Sequence, residues 1–346
     1  MGARDRPGAA NEHRTGARSI EGGTMRDGTR DAGIGRKILA ASAVPASVVA
    51  CVLLADAMMD AGIAPAAAVL PMGAVMLGVV ALLERVLPWH RDWLSSRGDL
   101  AVDALYLPTQ AVVTSLLRPV AASLTVAASV PLSRLVPGGP WPDDWPIVAQ
   151  VVLASLVREL FDYWAHRAMH EIPWLWRLHA THHSATRLYW LNGARAHPLE
   201  IALRFGLVGV LPLAILGVDP RVLALTSAAA LAADSFQHAN IALRLGPLAW
   251  IYSIGDAHRW HHSLRREEAD ANYGNVYLVW DAVFGTRYLP ADREPPTEVG
   301  IEGLEAFPKG FFDQWLSPWR WSRILAESGA RDGGDPAHAC DAAPAR

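Results

Sequence analysis

Four long apolar runs separated by short polar loops fill the first half of the chain: Ile38–Ala55, Ile63–Leu83, Leu100–Val130 and Ile147–Ala165. A bilayer core about 30 Å thick takes roughly 20 helical residues to cross, so each run predicts a membrane-crossing helix. Two shorter runs, Ile201–Leu216 and Val222–Phe236, flank the turn-like Gly217-Val218-Asp219-Pro220 and predict a helical hairpin. Buried core helices of a soluble protein are the alternative for these two. The third run holds Arg118-Pro119 near its middle, so it is either one span or two half-helices. Outside these runs the pattern vanishes. Residues 1–36 are rich in Gly, Arg, Asp and Thr and predict a disordered arm rather than a signal peptide. Residues 323–346 predict a disordered tail. The expected architecture is all-α: a polytopic membrane helical bundle over 37–322, whose histidine-rich stretch 146–290 forms a helical cap on one side.

Composition agrees with a membrane protein, since 51% of the residues are hydrophobic and only 19% charged. A formal net charge of −3 offers no basic surface for nucleic acid. Cys51 lies in an apolar run and Cys340 in the polar tail, which argues against a disulfide framework. Loop charges orient the spans. Arg26, Arg30, Arg36 and Lys37 precede the first run, and Arg85, Arg91 and Arg97 lie between the second and third. Only Arg134, beside Asp143 and Asp144, lies between the third and fourth. The N-terminus is therefore expected in the cytosol, with the fourth run re-entering it near His166.

The chain has 13 histidines, and most of them are grouped. His166-x-x-x-His170, His179-x-x-His182-His183 and His258-x-x-His261-His262 place imidazoles at i, i+3 and i+4, one helical turn apart on one face. Two such rings can converge on one metal while an adjacent third turns toward a second ion. Imidazole suits iron, copper, zinc and nickel alike. An even number of crossings separates the second and third groups, so all three are expected on the same side. The spacing does not fit haem, which has no use for adjacent pairs. It lacks the Glu-x-x-His pairs of carboxylate di-iron bundles, and the string His-Glu-x-x-His of zinc hydrolases is absent.

Several strings accompany the histidines: Asp162-Tyr163-Trp164-Ala165-His166-Arg167, Leu175-Trp176-Arg177-Leu178-His179, His182-His183-Ser184 and His197-Pro198-Leu199-Glu200. Gln237-His238-Ala239-Asn240, Asp256-Ala257-His258-Arg259-Trp260-His261-His262, Asn272-Tyr273-Gly274-Asn275, Trp280-Asp281 and Phe284-Gly285-Thr286 follow. On these strings the stretch 162–284 resembles the fatty acid hydroxylase/sterol desaturase superfamily of membrane enzymes.

The resemblance implies a non-haem centre of two iron ions that uses O₂ as cosubstrate to hydroxylate or desaturate a lipid C–H bond. The lipid could be sterol-like, fatty acyl or related. Zinc could substitute in purified protein, and a membrane metal-binding protein or transporter without redox catalysis is the alternative. Electrons must come from a partner such as a ferredoxin, cytochrome or reductase, because no flavin, haem or iron–sulfur motif is present. The resemblance also supports His238, between the second and third groups, as a ninth ligand. His197, placed in a loop by Pro198, is a further candidate. Asp162, Glu200, Asp256 and Asp281 are candidates for orienting ligand imidazoles through their second N–H. Arg167, Arg177 and Arg259 are candidates for holding headgroups or a partner. No catalytic residue is expected beyond the metal centre itself.

Overall fold

The computed structural model describes residues 33–136, 139–209 and 211–329. Among these residues there is no strand, only isolated β-bridges. Helix α1 (Ile34–Asp60) and helix α2 (Pro65–Val86) form an antiparallel pair joined by a short turn. Helix α3 (Leu100–Leu135) follows, then α4 (Ile147–Glu171) and α5 (Pro173–His183). The chain next forms α6 (Pro198–Ile201), a π-helix over Ala202–Val208 and α7 (Leu211–Ile215). Helix α8 (Pro220–Asp234) leads to the short α9 (Asp256–His261).

Packing among α1, α2 and α8 forms the main apolar core of the bundle. Ala40, Ala43, Val44, Cys51 and Ala55 bury one face of α1, while Met72, Met76 and Val80 line α2 and Leu225, Ala228 and Ala232 line α8. Spacings of three and four residues keep each set on one helix face. The alanines let backbones approach where the hydrophobic effect gives no drive between helices. The opposite faces stay apolar: Leu53, Leu54, Leu70, Val75, Leu82 and Leu116 are all exposed, which suits lipid and not water.

Three of these helices, α1, α2 and α3, are long and apolar enough to cross a membrane. The fourth run differs from expectation. Helix α4 is long, but its second half carries Arg158, Glu159 and Asp162, turned inward to polar partners. The run at Ile201–Leu216 is likewise no single helix, since a π-helix and a break separate α6 from α7. Helix α3, by contrast, passes through Pro108, Pro119 and Pro131 without interruption. At 36 residues it is about 54 Å long.

Polar contacts mark the two ends of the bundle. At one end Arg221 of α8 pairs with Asp56 and Asp60 of α1. At the other, the cap is tied to the helices by buried carboxylates. Glu84 of α2 accepts hydrogen bonds from the Trp190 and Asn240 amides at 2.7 and 2.8 Å. Asp103 of α3 accepts from Tyr189 and Arg195 at 2.7 and 2.6 Å. Arg187 grips Asp99 through two nitrogens at 2.6 and 2.8 Å.

The cap runs further than expected at its C-terminus. Trp321 and Ile324, beyond the boundary at 322 or at its edge, are buried against Trp176 and Phe307. The expected arm begins to be helical at Ile34. Its first 32 residues, the tail from 330 onward and Cys340 lie outside the described residues. Cys51 is a buried free cysteine on α1.

Candidate metal centre

The end of α4 brings His166 and His170 beside α5, which supplies His179, His182 and His183. His258, His261 and His262 enter on α9 and its C-cap, and His238 follows the end of α8. All nine are buried. They form two groups in which the ligand atoms lie within 4.8 Å of one another: His166, His170, His179, His183 and His261, and His182, His238, His258 and His262. The groups touch, because the His183 ring stacks on His262 with centroids 4.3 Å apart. His238 therefore stands with the eight clustered histidines. His197 does not. Its Nδ1 accepts from the Leu199 amide and its Nε2 lies 2.9 Å from the Trp315 carbonyl, so both nitrogens are engaged away from the groups.

Hydrogen bonds to the outer ring nitrogens fix where the protons are. His166, His261 and His182 each direct Nδ1 at a backbone carbonyl, of Tyr273, Ala271 and Arg195, at 2.7, 2.7 and 3.0 Å. A carbonyl only accepts, so Nδ1 carries the proton and Nε2 presents a bare lone pair. His238 is set the same way by Asn192 Oδ1 at 3.0 Å, because that oxygen also accepts from the Tyr189 amide. Yet the Nε2 atoms of His166 and His261 face each other at 3.1 Å, and those of His182 and His238 at 3.2 Å. Two lone pairs at that distance repel unless a cation lies between them. Metal–imidazole bonds of about 2.1 Å at right angles would separate their nitrogens by roughly 3.0 Å. The residues fit a metal in each group.

Burial first, and then the charge of neighbouring imidazoles, push His179, His183, His238, His258, His261 and His262 well below the ordinary histidine value. The rings are thus neutral at physiological pH, the form that binds metal.

Of the four proposed orienting carboxylates, one reaches a histidine of the two groups. Glu200 Oε1 lies 2.7 Å from His179 Nδ1. Burial pushes its carboxyl up to about 8, with Arg204 opposing. Asp281 acts one step back: it accepts from the amides of Tyr273 and Gly274 at 2.7 Å each, which places the carbonyl that holds His166. Asp162 points instead to Arg158 and Arg204. Asp256 turns outward, 40% exposed, onto Arg259. Arg259 is itself buried, bonded to the carbonyls of Ala239 and Ile241 and stacked on Trp89, and so holds the cap rather than a headgroup.

Asp270, absent from the sequence expectations, lies 3.0 Å from His170 Nδ1. Asn192, which sets His238, was also missing. Asp270 sits 100 positions from its partner, so no periodicity announces it.

A fatty acid hydroxylase family model matches residues 151–286. The chain is 34% identical over 252 residues to an ornithine lipid hydroxylase of Rhizobium tropici, covering 70% of this chain and 73% of that protein. The chain belongs to the fatty acid hydroxylase/sterol desaturase superfamily. Other relatives in the superfamily share less. An alkylglycerol monooxygenase of Danio rerio is 30% identical over 196 residues, which cover 55% of this chain and 41% of that enzyme. A methylsterol monooxygenase of Aspergillus fumigatus is 29% identical over 162 residues, 45% of this chain and 52% of that enzyme. No solved structure matches the chain.

Like these relatives, this superfamily member is a lipid oxidoreductase of the hydroxylase and monooxygenase kind, integral to the membrane, and needs both a lipid substrate and an electron donor. Beside its histidine groups lies a cavity of about 220 Å³. His166, His182, His238 and His258 form one wall of it, while Leu77 of α2 and Leu107 of α3 line it from the membrane helices.

Proposed function

We propose that the chain binds two iron ions, one in each histidine group, and uses O₂ to hydroxylate a lipid that enters the cavity from the membrane. The observation that carries this reading is the pairing of fixed, bare Nε2 lone pairs in two adjoining groups that border one cavity. Bound iron supplies the redox chemistry needed at an unactivated C–H bond, which zinc cannot. Overall, RH, O₂, two electrons and two protons give ROH and water. The protein's own part is positioning. Carbonyls of Tyr273, Ala271 and Arg195 lock three imidazoles in one tautomer, and Asn192 and Asp270 hold two more. Leu77 and Leu107 give the cavity an apolar approach that takes a lipid chain without transfer through water.

The relatives' names favour hydroxylation over desaturation. The arginine-bearing loops support an N-terminus and metal groups on the cytosolic side, where a ferredoxin, cytochrome or reductase would deliver the electrons. Protein made in iron-supplemented, zinc-poor medium should contain two irons per chain with high-spin Mössbauer signals. Its lipid product should carry one ¹⁸O atom from ¹⁸O₂. One ion per chain, or turnover with zinc alone, would sink this reading, and an unsaturated product free of ¹⁸O would replace hydroxylation by desaturation.

A further inference from the structure

The lining of the cavity divides by chemistry along the bundle axis. Leu77 lies two turns of α2 before Glu84, the residue that anchors the cap, and Leu231 lies on α8 one turn before Asp234. This is the apolar part, on the membrane side. Nearer the histidines the wall turns polar, with Asp234, Ser235 and Gln237 beside Glu200 and Arg204, while Gln110, one turn past Leu107 on α3, is a single polar group on the membrane side. A fatty acyl chain needs none of these groups at its reacting carbon, and burying them against one would cost free energy.

Asp234 is the residue that stands out. It is the last residue of α8, four positions before His238, and its side chain is exposed in the cavity. Among the described residues its carboxylate has no hydrogen-bond partner and no ion pair. The cations whose charge reaches it are Arg158 and Arg204. Both are engaged elsewhere: Arg158 with Asp162 at 3.5 Å, and Arg204 with Asp162 at 3.3 Å, Asn275 at 3.1 Å and Glu200 at 3.7 Å. Both guanidiniums are thus committed to other side chains, and Asp234 has no cation in direct contact. A carboxylate at such a place is suited to a charge-assisted hydrogen bond from a donor that arrives with the substrate.

We infer that Asp234 is a specificity-determining residue that receives the ammonium group of an amine-bearing lipid, whose polar end therefore lies in the cavity beside the histidine groups. This deepens the lipid-oxidation reading and rests on it for the role of the cavity. The chain would then oxidise a carbon close to the amine, while the tail trails past Leu77 and Leu231 toward the bilayer.

The test uses the full-length, iron-loaded protein immobilised in neutral detergent, with radiolabelled octadecylamine and N-acetyl-octadecylamine as probes. They share one chain and differ in charge. Wild-type protein should retain the amine about tenfold or more tightly than the amide, the scale of a hydrogen bond to a charged group. Asp234→Asn should lose that preference by weakening the amine alone, with iron content unchanged, and Asp234→Glu should keep it. Equal retention of both probes by wild type overturns the inference without any variant, as does an amine preference that survives in Asp234→Asn. The two readings fail separately. Amine preference in protein that yields no ¹⁸O-labelled product removes the oxygenase and leaves the Asp234 site. Labelled product from neutral lipid, with no amine preference, does the reverse.

Discussion

At the scale of single residues, the clustered histidines were legible because helical spacing is short-range information. Positions i, i+3 and i+4 share a face whatever the rest of the fold does, and the three groups in the sequence are the ones that converge. Their orienting partners were mostly illegible. Asp162 shares a helix face with His166 by spacing, but its carboxylate reaches arginines rather than the imidazole. Asp270 reaches His170 from a loop that only the folded cap brings near. Two predictions follow from this difference. Asp270→Ala should lower metal affinity or turnover by roughly 10–100-fold, whereas Asp256→Ala, whose partly exposed carboxylate turns to Arg259 and not to a histidine, should leave both within about twofold. Competition against a chelator of known affinity reads the first quantity directly. His238→Ala reduces the smaller group from four nitrogens to three. Metal content should fall toward one ion per chain, and turnover by at least roughly 10–100-fold. Wild-type content in correctly inserted protein would remove His238 from the ligand set.

Among the elements, hydrophobic run length was a good guide to helices and a poorer guide to which of them face lipid. Helices α1, α2 and α3 are apolar along most of their length, with charged residues mainly toward their ends, and their runs read directly as spans. Helix α4 reads like them for its first half, then turns its charged residues inward, where they serve the cap. The run 201–216 was the least legible, because a π-helix shifts the register of its side chains and no residue pattern marks that bulge. The bundle nevertheless has two distinct ends, one with the Arg221 pairs and one with the histidine cap. Single cysteines at Thr186 and Glu267, both exposed on the cap side, should react with an impermeant thiol reagent from the cytosol in a Cys340→Ser background. A cysteine at Asp144, exposed between α3 and α4, should react only from the other side. Labelling of Thr186 and Glu267 from opposite faces would contradict the fold, and labelling of both from outside would invert the orientation. The latch between cap and helices gives a stability prediction. Arg195→Ala leaves Asp103, 0% exposed, buried without its cation. A loss of about 3–5 kcal/mol is expected for breaking such a pair from one side, read as a lower melting temperature in detergent.

In the whole molecule, the cap has only small apolar clusters, around Trp176, Trp321 and Phe307 and around Trp93, Leu188 and Val299, and nine buried imidazoles meet at its centre. Metal should therefore hold the cap together as well as do chemistry. Chelation should lower the melting temperature of the full-length protein by several degrees, and ferrous iron should restore it, as expected of any ligand that binds only the folded form. The fixed tautomers carry a further consequence. Carbonyls set the lone pairs of His166, His182 and His261 before any ion arrives, so on the proposed two-ion reading the pocket would accept any borderline divalent cation and hold copper or zinc at least as firmly as iron. Discrimination then passes from the chain to the cell. Which ion is abundant while the cap closes would then decide between an oxygenase and an inert zinc protein, and a host overproducing it in zinc-rich medium would accumulate well-folded enzyme that never turns over.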